Sequence, residues 1–447
     1  MSILLKINLK EKIKKFFLYI INPIISRTEY MQELDNILFQ QYKETIRLRF
    51  KLKIINNEKI NILFICQRPQ FWGALKTVFE SCNNDPYFNV TIITIPNKIE
   101  RHDLKNNYET YISDGAENYF KKFPCKVING YNYENKSWVS LRNLSPDYIF
   151  FQTPFSGSRP HEYDIKLVSQ YANVCYVSYA SDVIISEDYN SYHPFYFLKY
   201  IYLLFCQTEE YKNTIKNIFC KNKADFNIKS YITGFPKYDN IELYRNSESP
   251  IWKFKRSEQH FRIIWTPRWT TKENTCHFFV YKDKFFEYAD KYQDIDFIFR
   301  PHPHCFIDYL NRKEITEKEI EKYINEYKNR KNMTIDYNKD YLPQFYSSDV
   351  LVTDISSIII EYFLTGKPII YCHKTDLFNS FSRKLSEGFY FAHNWNEVEY
   401  FLEQLKSKND PLKEKREQLI KSEYNLPPEG AGQFIKSILL DDFLGKL

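Results

Sequence analysis

Val350-Leu351-Val352-Thr353-Asp354-Ile355-Ser356-Ser357-Ile358-Ile359-Ile360-Glu361-Tyr362-Phe363, closed by Gly366 and Pro368 and followed by Ile369-Ile370-Tyr371-Cys372, reads as strand, hydroxyl-rich turn, short helix and strand. Short continuous apolar runs bounded by turn residues suit strands buried on both faces, and such strands belong to parallel sheets covered by helices. The same alternation runs along most of the chain. Apolar runs at 60–66, 90–95, 148–151, 174–177 and 203–206 precede a second set at 263–265, 297–299, 350–352 and 369–372, with longer amphipathic stretches between them. The expected fold class is therefore α/β, with two Rossmann-like doubly wound domains. The 447 residues also exceed what one hydrophobic core accommodates.

Turn residues set the expected boundaries. Gly234-Phe235-Pro236 and the polar stretch Asn246-Ser247-Glu248-Ser249-Pro250 separate the two sets of strands. The layout predicted is a helical extension over 1–58, an N-terminal domain over 59–245, a C-terminal domain over 246–425 and a terminal helix within 426–447. Open sheets of this kind bind ligands at the carboxyl ends of their strands, so two of them facing one another make an interdomain cleft.

Composition removes several function classes. Only 10 glycines are present, and neither a G-x-x-x-x-G-K nor a G-x-G-x-x-G loop occurs, which argues against mononucleotide kinases and ordinary NAD enzymes. The nine cysteines form no C-x-x-C pair and mostly sit in apolar runs, as at Cys66, Cys175, Cys206 and Cys372. They read as core residues of a cytoplasmic protein, not as disulfides or metal ligands. No metal site and no tightly bound cofactor are expected. The net charge of +6 is partly concentrated in the first fifty residues, where Ile3, Leu4, Ile7, Ile13, Phe16 and Ile20 intermix with lysines. Two readings stand side by side: a basic helix lying on the inner face of the plasma membrane, or one packing on the body of the protein. The remaining basic residues are diffuse and no recognition-helix pattern stands out, so no nucleic-acid partner is expected.

Three strand ends carry candidate chemistry. Thr266-Pro267-Arg268-Trp269 would aim a guanidinium from a proline-stiffened turn, and the arginine fork suits a phosphate. Arg300-Pro301-His302-Pro303 holds an imidazole between two prolines beside an arginine, suited to phosphoryl charge or proton transfer. Thr353-Asp354-Ile355-Ser356-Ser357 offers hydroxyls and free amides at a helix start. Each turn alone also fits a structural role: a surface arginine, a histidine in a rigid loop, an aspartate capping a helix. Their conjunction in one domain favours an anion site.

These stretches resemble the CDP-glycerol glycerophosphotransferase family, the teichoic-acid and capsule polymerases. Thr266-Pro267-Arg268-Trp269 is similar to the family's A-P-T-W-R or P-H-W stretch, Arg300-Pro301-His302-Pro303 to its R/K-x-H-P, and Thr353-Asp354-Ile355-Ser356-Ser357 to T-D-Y-S-S. Gly234 to Asp239 resembles G-x-P-R-x-D with Lys237 for arginine, and Asp410-Pro411 with Arg416 resembles D-P-x-x-x-x-R. Membership implies a GT-B fold and a donor site made of Thr266, Pro267, Arg268, Arg300, His302, Thr353, Asp354, Ser356 and Ser357. It implies transfer of an alditol phosphate from a CDP-activated donor to a hydroxyl of a glycan or lipid-linked glycan, with release of CMP and no bound metal.

One departure stands out. The polymerases carry W-H-G-T after an N-domain strand, and its histidine acts as base; here the corresponding stretch is Ser178-Tyr179-Ala180-Ser181-Asp182. His302, Asp182 and His161 become the catalytic candidates, with His193 also near. Phe71-Trp72-Gly73 either lines an acceptor subsite or packs in the core. The alternatives are a glycosyltransferase using a nucleotide sugar on the same frame, and a non-catalytic glycan- or partner-binding scaffold.

Overall fold

The computed structural model describes residues 33–447 except 101–108, 114, 182–192, 339, 376 and 425. Its frame is two parallel sheets. In the first, β1 (Ile60–Cys66), β2 (Phe88–Thr94), β3 (Lys126–Asn129), β4 (Tyr148–Phe151), β5 (Asn173–Val177), β6 (Leu203–Cys206) and β7 (Lys229–Ile232) lie in the order β7-β6-β5-β4-β1-β2-β3. In the second, β8 (Phe261–Thr266), β9 (Ile295–Phe299), β10 (Met333–Ile335), β11 (Val350–Thr353), β12 (Ile369–Cys372) and β13 (Tyr390–Ala392) lie in the order β10-β9-β8-β11-β12-β13. Each sheet starts at its centre, winds outward one way, then returns to wind the other way. The two doubly wound units of the sequence prediction are present. Each has a topological switch point, between β1 and β4 and between β8 and β11, where loops diverge and leave a crevice.

Burial explains the strands. Every residue of β4, β5, β6, β9, β11 and β12 is buried, so β-branched and aromatic side chains fill both faces of each sheet. One apolar cluster runs continuously from Phe64 and Phe150 of the first unit to Ile264 and Leu351 of the second, by way of Tyr238, Trp252 and Tyr424. The units thus share a core.

Three polar ties fix the remaining elements. Residues 33–55 are helical, with Ile46 and Phe50 buried. This helix is held by the fully buried Asp147, which accepts from the Lys53 ammonium and the Asn61 backbone N–H. The last helix, Ala431–Phe443, returns to the first unit. Asp239 accepts its first amides, Ala431 N at 2.7 Å and Gly432 N at 2.8 Å, and Asp442 accepts from Tyr148 and Tyr202 hydroxyls at 2.7 Å each. Gly432 is required there, because a Cβ would lie 2.4 Å from the Thr77 carbonyl carbon. Between the units, half-buried Lys237 donates to Glu361 at 2.8 Å and to Tyr341 at 2.6 Å. The Gly234 to Asp239 stretch therefore ties the second unit and the last helix to the first unit.

The nine cysteines are free, and seven of them are buried. No helix among the described residues is long and apolar enough to cross a membrane. The basic apolar stretch of residues 1–32 lies outside the described residues.

Candidate functional site

The floor of the C-terminal crevice is made by two threonines. Thr266 and Thr353 end neighbouring strands in register, and Thr266 Oγ1 donates to Thr353 Oγ1 at 2.7 Å. Both are buried, so their hydroxyls knit β8 to β11 beneath the site. Asp354 comes next and is wholly buried. Its Oδ2 accepts from Arg268 N at 2.8 Å and His277 N at 2.9 Å, and its Oδ1 lies 2.6 Å from His277 Nδ1. A desolvated carboxylate needs such donors, and here it fixes the turn at Pro267 and Arg268 and the entry to the helix Phe278–Lys291.

His277 is a residue of this crevice that the sequence reading did not single out. It sits where the chain leaves the β8 turn and enters that helix, with its imidazole packed on Tyr281 at 5.0 Å and 17° between planes. Asp354 occupies Nδ1, whereas Nε2 makes no hydrogen bond within the described residues and is not among the sealed, unpaired atoms. Nothing in the spacing marks it. The available signal was the pairing of an aspartate after β11 with a histidine before the helix that follows β8.

Both arginines of the predicted site already have carboxylate partners. Arg268 grips Glu273 in a two-pronged pair at 2.7 and 2.9 Å and donates to the Ile355 carbonyl at 3.3 Å. Arg300 is bound to the fully buried Asp336 and to the Asn338 carbonyl, over the ring of Tyr341. They supply positive potential and rigidity, with part of each fork committed.

His302 is differently placed. The backbone N–H of His304 donates to His302 Nδ1 at 3.2 Å, which leaves the proton of the neutral ring on Nε2. Desolvation, reinforced by His304, Arg268 and Arg300, pushes its pKa down to about 4, although solvent still reaches the ring. It is therefore a neutral hydrogen-bond donor at ordinary pH. Trp269 lies 6.0 Å from His302 and 6.5 Å from His304, so three rings wall one side. On the other side, Ser356 and Ser357 are half-buried, and their hydroxyls have no partner within the described residues. The turns after β9 and β11 flank that after β8, about 10 Å apart across two strand spacings. That span suits a diphosphate and what it carries.

The N-terminal crevice holds other chemistry. Tyr179 lies in the stretch after β5, and its ring meets Phe71 at 4.9 Å and Phe155 at 5.9 Å, all three half-exposed. Arg68 lies over Phe71 with no carboxylate partner among the described residues. Trp72 belongs to the core instead, packed on Phe64, Phe79, Phe120 and Phe123. His161 is exposed in the single turn His161–Tyr163 after β4, and His193 is buried against Tyr211. Asp182 lies outside the described residues. Asp410 and Arg416 have a structural part: Arg416 is fully buried, paired with Asp410 and donating to the Gly366 carbonyl at 2.9 Å.

Minor teichoic acid biosynthesis protein GgaB of Bacillus subtilis is 24% identical over 172 residues, 36% of this chain and 17% of its own length. The chain thus spans about a sixth of that relative. Among solved structures, the UDP-GlcNAc 2-epimerase of Neisseria meningitidis is similar with a TM-score of 0.53 at 14% identity, over 87% of this chain and 100% of that one. The wall teichoic acid polymerase TagF is similar at 0.51 and 13% identity, over 91% and 98%. The fold is accordingly GT-B-like. The profile of the family described as CDP-Glycerol:Poly(glycerophosphate) glycerophosphotransferase matches residues 203–425, a span that includes the turns after β8, β9 and β11, and over that span the chain belongs to this family.

Proposed function

We propose that the chain transfers an alditol phosphate of the glycerol phosphate kind from a CDP-activated donor to a hydroxyl of a bacterial cell-surface or capsule glycan, releasing CMP. The carrying observation is the crevice between β8, β9 and β11, where neutral His302, the hydroxyls of Ser356 and Ser357 and two braced arginines converge within the family-matched span. In the reaction the acceptor oxygen forms a bond to the β-phosphorus, and the bond from that phosphorus to the bridging oxygen breaks. CMP carries that oxygen away while the hydroxyl proton passes to a base. Pre-set donors stabilise the phosphoryl charge without reorganising. Arg268, Arg300 and His302 serve in that way, and Thr266, Pro267, Thr353 and Asp354 hold the shape. His161 and Asp182 remain the acceptor-side candidates for base.

A thermal-shift panel of CDP, CMP, UDP, GDP and CDP-glycerol tests this, since a ligand that binds only the folded state raises apparent stability. CDP and CDP-glycerol are expected to raise the Tm most. No shift with any cytidine nucleotide at millimolar concentration overturns the assignment. A second reading, transfer of a sugar from a nucleotide sugar, is favoured by the lack of a histidine in Ser178-Tyr179-Ala180-Ser181-Asp182. It predicts a product with no phosphodiester.

The acceptor is proposed to be lipid-linked and met at the inner membrane surface. Leu34, Ile37, Leu38, Leu48, Leu52 and Ile55 are exposed and fall within an arc of about 100° on the helix of residues 33–55. The buried Ile46 and Phe50 lie on the side turned to the sheet. Replacing Leu48 and Leu52 by serine is expected to lower cosedimentation with anionic vesicles several-fold. Unchanged cosedimentation removes the membrane from the proposal.

A further inference from the structure

We infer that His277 is a phosphate-binding residue of the donor site, donating from Nε2 to an oxygen of a nucleoside diphosphate; this rests on the nucleotide-donor reading above. The helix Phe278–Lys291 has fourteen residues and starts at the switch point between β8 and β11. Its first amides have no intrahelical partners and carry the positive end of the helix dipole. A helix start alone would say little. The side chain at its cap adds an independent pointer. His277 is more than nine-tenths buried, its Nδ1 is pinned by Asp354 at 2.6 Å, and its stacking on Tyr281 fixes the ring plane. Those two restraints leave one degree of choice. Nε2, on the far edge of the ring from Asp354, faces away from the carboxylate and has no protein partner within the described residues.

The chemistry follows from the tautomer. With Nδ1–H given to Asp354, a donating Nε2 makes the ring an imidazolium. Its charge is met by the carboxylate behind and by the diphosphate in front. The other imidazole of the site, His302, donates as a neutral ring from the turn after the neighbouring strand. The two rings would reach a diphosphate from different turns, and the backbone amides of Arg268 and His277 share Asp354 Oδ2.

The test compares wild type with His277→Asn by calorimetry, using CDP and inorganic pyrophosphate as ligands. Asparagine keeps a nitrogen near the position of Nδ1, so the bond to Asp354 survives while the outer nitrogen is removed. Both ligands are expected to bind the variant about 10- to 100-fold more weakly, the range for one hydrogen bond to a charged group. Equal affinities in variant and wild type overturn the inference and leave the donor reading standing. If wild type binds pyrophosphate and UDP but prefers no cytidine nucleotide, and the variant loses both, His277 keeps its role and the cytidine assignment falls. Wild type binding neither CDP nor pyrophosphate overturns both. Should the variant not fold, histidine-labelled wild type gives the answer by nitrogen NMR. Adding CDP must move the Nε2 resonance of an imidazole bonded through both nitrogens, and no such movement sinks the inference.

Discussion

Two residues at equivalent places in the two sheets show how one frame is given two chemistries. Gln152 follows β4, and its Oε1 accepts from the Gln67 and Arg68 amides at 2.9 and 2.7 Å while its Nε2 donates to the Arg68 carbonyl at 2.7 Å. Asp354 follows β11 and accepts from the Arg268 amide at 2.8 Å. Both rivet the turn after the first strand of their sheet to the switch point. An amide both donates and accepts, so Gln152 satisfies that backbone turn by itself. A carboxylate only accepts, so Asp354 requires further donors, and His277 supplies two of them. The choice of rivet decides whether the crevice comes with an oriented imidazole. In the first unit it comes instead with the rings of Phe71, Phe155 and Tyr179.

The strongest way to break this comparison is Asp354→Asn. The amide would either turn a donor toward the two backbone N–H groups or donate to Nδ1 of His277 and so force that ring into the neutral Nε2–H tautomer; the charge-assisted bonds are lost in both cases. Loss of a buried, charge-assisted partner costs about 3 kcal/mol at the low end of its range, and urea unfolding should show a loss of that size. Binding of CDP should weaken in the same variant, because His277 loses its orientation. A variant as stable as wild type would mean that Asp354 is not the rivet.

Next in size is Gln152→Ala, which removes three hydrogen bonds to backbone and is expected to cost about 2 kcal/mol. Here the outcome should separate the units. Stability falls, yet affinity for CDP stays within about twofold, since nothing in the C-terminal crevice leans on Gln152. A matching loss of nucleotide affinity would show that the two crevices are one coupled site.

His302 gives the second unit a pH signature. Its folded pKa is near 4 against an ordinary value of 6.5, so the unfolded chain takes up a proton that the folded chain refuses as pH falls between these values. The stability that His302 contributes is present above 6.5 and is lost progressively down to about 4. Replacing His302 by glutamine should flatten that part of the stability profile. An identical slope in wild type and variant would mean that the ring titrates normally.

The central strands were legible from sequence because full burial demands unbroken apolar runs, as at 148–151, 297–299 and 350–352. The outer strands were not. Lys126–Asn129, Lys229–Ile232, Met333–Ile335 and Tyr390–Ala392 are short, and the first two are exposed or half-exposed along their length, so polar residues interrupt the signal. At the site, the three turns could be placed because each follows a buried strand. What each side chain does there could not. Arg300 and Asp336 are brought together only by the pairing of β9 with β10, and His277 meets Asp354 only because β8 and β11 are neighbours. Strand order, not spacing along the chain, makes these partners.

The smallest expected effect tests the other half of the comparison. If the rings of the first unit form a surface for a sugar-bearing acceptor, they act by apolar contact and by the charge of Arg68, which has no carboxylate partner among the described residues, not by a riveted hydrogen bond. Truncating Phe155 to alanine removes one half-exposed ring while the Phe71 and Tyr179 rings keep each other in place at 4.9 Å. The loss should be modest, on the order of 3- to 10-fold in KM for the acceptor, matching roughly 1 kcal/mol for one aromatic contact. Neither the affinity for CDP nor the Tm should move appreciably, because the ring is only half-buried and belongs to no core cluster. Acceptor kinetics that remain unchanged, with CDP affinity reduced, would place those rings on the donor side and reverse the division of labour between the two sheets.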